Sequence, residues 1–99
     1  MKTFDNPDDL SIAIKAAAWQ AQQLAGLRPR SGVQVAAAIT ACQEIGIWEE
    51  YDPSHDEPGK ARIVSFVQAL AFEQVDLPKV DLLLTNAWLD YSRIIRQAA

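Results

Sequence analysis

Residues 6–9, Asn-Pro-Asp-Asp, set out the start of a helix in order. Asn6 can cap the backbone N–H groups left open there. Pro7 suits the first helical position, where its missing N–H costs nothing, and Asp8 and Asp9 meet the positive end of the helix dipole. Leu10, Ile14, Ala17, Ala21 and Leu24 then recur at steps of four and three, one face of a helical period, until Gly26 offers a stop. A helix between Asn6 and Gly26 follows.

Similar punctuation recurs three times. Ser-Gly-Val-Gln at 31–34 fits a capping box, in which Ser31 caps and Gln34 reaches back, and predicts a second helix from 31 to about 48. Its buried stripe is expected to be Val35, Ala38, Ile39, Cys42 and Gly46, small enough for a neighbour to approach closely. Asp56 and Pro58 open a third helix with Ile63, Phe66, Val67 and Leu70 on its face. The β-branched run Ile63-Val64-Ser65-Phe66-Val67 competes as a short strand, but Ala-Leu-Ala-Phe-Glu-Gln continues the helical period. Asp76 with Pro78 starts a fourth, whose broad apolar face runs from Val80 through Leu83, Leu84, Ala87, Trp88 and Tyr91 to Ile94 and Ile95. Arg93 and Arg96 suit its C-terminal end. The expected fold is all-α: a compact four-helix domain, either a bundle or an orthogonal array, with helices three and four as neighbours.

Ninety-nine residues, 49% apolar and 22% charged, suit one globular core over 1–99 and lie far from the composition of disorder. Nine basic against thirteen acidic residues leave a net charge of −4, which gains nothing from a phosphate backbone. Cys42 is the only cysteine, so no intrachain disulfide can form. The opening Met-Lys-Thr-Phe-Asp-Asn-Pro-Asp-Asp-Leu turns acidic where a signal peptide needs an apolar run, and no apolar stretch approaches a spanning helix. A cytoplasmic protein with no membrane contact is the expectation.

The densest chemistry lies in residues 47–59, IWEEYDPSHDEPG, which hold the single histidine and five acids. Asp52, Ser54 and Asp56 sit at the first, third and fifth positions of a calcium loop, yet Glu57, Gly59 and Ile63 stand where glycine, an apolar residue and glutamate are needed. Ser54, His55 and Asp56 are the residue types of a hydrolase triad, but successive loop residues cannot easily form its relay. One histidine and one cysteine cannot fill a zinc shell, and the acids would hold a hard cation only weakly, so no metal, cofactor or catalytic residue is expected.

What remains is an asymmetry of charge. Residues 44–57 carry Glu44, Glu49, Glu50, Asp52, Asp56 and Glu57 with no lysine or arginine, and Trp48 and Tyr51 are interleaved with them. Aromatic anchors among steering charges suit a protein-binding surface that meets a basic partner. The plainer account is that Trp48 caps the core and the acids keep a connector solvated. Apolar residues also fall off the main faces: Ile12 and Trp19 on helix one, and Leu82 and Leu89 on helix four. If helix one is not central and buried all round, such stripes mark contacts with another chain, a homodimer included.

A helix-turn-helix over residues 21–39 is disfavoured, because its second helix would bring no basic side chain to a major groove; Arg28 and Arg30 alone could touch phosphate. No pair of titratable groups is placed across the core, which disfavours a small-molecule enzyme. The leading expectation is therefore a non-enzymatic adaptor or inhibitor docking on a larger, basic protein such as nucleic-acid-binding machinery, a role that small acidic phage or mobile-element inhibitors fill. A homo-oligomeric accessory subunit is the alternative.

Overall fold

A computed structural model describes residues 3–98, so Met1 and Lys2 of the opening decapeptide lie outside it. Four helices follow in order: α1 (Pro7–Ala25), α2 (Ser31–Ile45), α3 (Pro58–Phe72) and α4 (Leu77–Ala98), with no strand among the described residues. The β-branched run at 63–67 is helical, inside α3. The radius of gyration, 12.6 Å, is that of a compact chain, about 13 Å at this length.

The start of α1 forms as its tetrapeptide requires. Asn6 Oδ1 accepts from the Asp9 amide at 2.9 Å, Pro7 occupies the first turn, and Gly26 ends the helix at φ 76°, its amide donating to the Gln22 carbonyl. Asp76 caps α4 in the same way, accepting from the Lys79 amide at 3.2 Å. No helix among the described residues is long and apolar enough to cross a membrane.

The capping box at Ser31 does not form. Arg30 is the cap residue and makes no side-chain cap bond, while the Gln34 amide donates to the Pro29 carbonyl at 3.2 Å and its oxygen accepts from Gln68 of α3. Tying two helices together has displaced the local cap. The helix also stops short of Trp48: Gly46 is left-handed at φ 89°, and the amides of Gly46 and Ile47 both return to the Cys42 carbonyl. Its buried face is Ala37, Ala38, Ala41 and Cys42, whereas Val35 and Gly46 are exposed and Ile39 is half-buried. Alanine faces the core because it lets α2 close on its neighbours, and this rotates the larger Val35 outward.

α1 and α3 each touch all the other helices, and α2 and α4 flank this pair without touching one another among the described residues. Leu10 and Ile14 of α1, Ile63 and Val67 of α3, and Tyr91 of α4 are each at most 1% exposed and anchor one continuous core. Leu24, expected on the buried face of α1, is 45% exposed, because the small side chains of Ala36 and Ala37 opposite leave a hollow instead of a packed contact. Further polar ties hold the elements together. Gln22 donates to the Ala71 carbonyl, Tyr91 Oη accepts from the Phe4 amide at 3.0 Å, and Arg62 grips the buried Asp90 through two bonds of 3.0 and 2.6 Å. The second of these brings the Phe4 and Tyr91 rings to 5.5 Å.

Burial pushes the Cys42 thiol up to about 12. A thiolate is the reactive form, so native protein at pH 8 is expected to resist thiol reagents and to release one titratable thiol only on unfolding in denaturant. Fast reaction without denaturant would show that α2 opens locally.

Candidate functional site

Residues 46–57 connect α2 to α3, and the reversal at Gly46 decides their course. By turning the chain back toward the core it buries Ile47 (1% exposed) and Trp48 (3% exposed). Trp48 is therefore not a surface anchor within the acidic segment, which corrects that expectation. Desolvating an indole is favourable enough to draw the chain inward wherever the core has room. Tyr51 is half-buried and meets the Trp48 ring edge-on at 5.8 Å. Among the described residues no group accepts from Trp48 Nε1.

Lys60, in the first turn of α3, folds back over this segment. Its ammonium lies 5.8 Å from the centre of the Trp48 ring, donates to the Glu50 carbonyl at 3.1 Å and pairs with the Glu57 carboxylate at 3.0 Å. Beyond it, Asp56 and Glu57 line a cavity of about 520 Å³ between α3 and α4 together with Arg62, Asp90 and Arg93. At the far end of the acidic run Glu57 is thus paired with Lys60, while Arg62 is held by Asp90. Glu44, Glu49, Glu50 and Asp52 are exposed and lie outside the lining of that cavity.

The tripeptide Ser54-His55-Asp56 has a structural use. Asp52 Oδ1 accepts from the Ser54 amide at 2.9 Å and from its hydroxyl at 2.7 Å, and His55 Nε2 lies 3.7 Å from the other carboxylate oxygen. Serine and histidine both address Asp52, so the turn closes on itself. The Ser54 hydroxyl, and then its amide, hold the Asp52 carboxyl below its ordinary range. This contribution is complete above about pH 4 and is lost as pH falls through the lowered value. Among the described residues no three His, Cys, Asp or Glu side chains converge as a metal shell requires.

The second set of candidates stands in solvent. Ile12 is 66% and Trp19 62% exposed on α1, and Leu82 and Leu89 are more than half exposed on α4. α1 is central by its contacts and still leaves this stripe uncovered. Gln20, the residue after Trp19, donates to Glu44 of α2 at 2.7 Å, which ties the first acid of the charged segment to α1.

Sequence periodicity did not point to the corner between α1 and α2. Leu24, Leu27 and Val33 are all exposed there, and Leu24 and Val33 line a shallow hollow of about 210 Å³ together with Ala36, Ala37 and Thr40. The available signal was Leu27 itself, an apolar side chain one residue beyond a helix-stopping glycine with no periodic partner. No protein-family model matches the chain, and no curated protein or solved structure shows significant similarity to it.

Proposed function

We propose that this protein is a non-enzymatic docking module, an adaptor or inhibitor, whose contact face is the outer side of α1 bordered by the acids of α2 and the following loop. The observation that carries the reading is Trp19, a tryptophan 62% exposed on the helix whose next residue, Gln20, bonds Glu44 of α2. An exposed indole supplies the large apolar area that interfaces concentrate at their centres, and the neighbouring carboxylates steer approach. Glu44, Glu49, Glu50 and Asp52 then favour a partner with a basic surface, as nucleic-acid-binding proteins have.

The test is capture from lysate of the native host on immobilised protein, eluted in salt steps. Wild type is expected to retain a stoichiometric partner that moderate salt releases, and Trp19→Ala to retain none; equal retention by both refutes the reading. With that partner in hand, changing Glu44, Glu49, Glu50 and Asp52 to their amides is expected to slow association about tenfold at low salt and to leave dissociation nearly unchanged. Stopped-flow association at two ionic strengths checks it.

Leu82 and Leu89 support a second reading, in which the chain self-associates through the outer face of α4. Light scattering separates the two, since an isolated docking module has a mass of 10.9 kDa and a dimer twice that.

A further inference from the structure

We infer that the cavity between α3 and α4 binds a small zwitterion, a molecule with a carboxylate and an ammonium on one short chain, as free amino acids and short peptides have. The inference does not rest on the docking reading, since Trp19 and the rest of α1 contribute nothing to the lining of this cavity.

Its volume, about 520 Å³, is that of pockets which enclose small ligands. The lining sets three bases, Lys60, Arg62 and Arg93, beside three acids, Asp56, Glu57 and Asp90, so the cavity as a whole is neutral. Two of the pairs are closed. Lys60 holds Glu57 at 3.0 Å, and Arg62 holds Asp90 through bonds of 3.0 and 2.6 Å. The third pair is open: Asp56 and Arg93 are both exposed, and neither has a hydrogen-bond or ion-pair partner among the described residues. One charge of each sign is therefore left for a ligand. A simple anion would gain from Arg93 and lose to Asp56, and a simple cation the reverse, whereas a molecule carrying both charges meets both.

Arg62 gives the carboxylate a second donor. Asp90 is 6% exposed and takes the Nε and Nη2 side of the guanidinium, which fixes its orientation. A guanidinium carries five N–H donors, and Nη1 of Arg62 has no partner among the described residues. The fold has thus already ordered this donor, a cost that a ligand otherwise meets on binding. Arg93 follows Asp90 by three residues on α4, which sets both on one face of that helix. Ile94 adds apolar lining for the carbons that join the two charged ends.

The experiment titrates the isotope-labelled full chain at neutral pH with glycine, β-alanine, γ-aminobutyrate and triglycine, each beside the two molecules of the same length that lack its amine or its carboxylate. Binding is read from the amide chemical shifts of Gly59, Lys60 and Ile94. At least one zwitterion is expected to saturate these shifts and to bind about tenfold more tightly than either of its single-charge counterparts. Tightest binding by one of the three amino acids assigns a free amino acid, and by triglycine the ends of a short peptide. Asp56→Asn and Arg93→Gln each remove one charge from an exposed side chain without a partner, so both should keep the wild-type denaturation midpoint. The first should bind the carboxylate alone as tightly as the zwitterion, and the second the amine alone. No saturable shift with any zwitterion, a single-charge molecule that binds wild type equally well, or an unmoved preference in either variant overturns the inference.

Discussion

Replacing Trp19 by alanine is expected to weaken partner binding about 30-fold or more, roughly the 2 kcal/mol that defines a central interface residue. Folding stability should change by no more than about 0.5 kcal/mol, as for other surface sites. The two numbers belong together. Trp19 is 62% exposed, so truncating it removes little packed area from the fold and, on the docking reading, much of the apolar area offered to a partner. Titration calorimetry beside urea denaturation of the same variant measures both. A loss of stability above about 1 kcal/mol with affinity retained would make Trp19 a structural residue.

Trp48→Ala is expected to behave in the opposite sense. This indole is 3% exposed, packs edge-on against Tyr51 and lies beneath Lys60, so its removal leaves a cavity where the connector meets the core. The expected loss is about 3–5 kcal/mol, a large share of the roughly 5–15 kcal/mol that holds a domain of this size together. Trp48→Phe should cost much less, because a ring still fills most of the site and Nε1 has no acceptor to lose among the described residues. Denaturation midpoints of the two variants, with affinity measured under conditions where each remains folded, check the expectation. Alanine that leaves the midpoint in place would mean that the connector is not seated on the core.

The contrast between the two tryptophans shows where sequence reading stopped. Helix starts were legible because their physics is local: Asn6 caps three residues on, Pro7 needs only its own position, and Asp76 repeats the device. Ser31 had the same local credentials and lost to a long-range bond, since Gln34 binds Gln68 of a different helix. The fate of Trp48 turned on one glycine. The left-handed Gly46 ends the helix and turns the chain back over the core, and the apolar pair Ile47-Trp48 directly after that glycine was the readable sign of a chain returning there. The acidic run was plain as composition and the Lys60–Glu57 pair is local, but the cavity that sets Asp56 and Glu57 beside Arg93 depends on the packing of α3 against α4, which no short window contains. The outer stripes were legible as pattern. Their exposure follows from which helix packs on which side of α1.

That α2 and α4 do not meet among the described residues has a consequence for how such a fold can change over time. Each outer helix leans on the α1 and α3 pair through its own inner face, and the outward faces, one with Val33 and Glu44, the other with Leu82 and Leu89, share no neighbouring side chain. A substitution on one wing imposes no compensating change on the other. A lineage could therefore exchange what it recognises on the α2 side while keeping an older contact on the α4 side, with the paired central helices as the inherited frame.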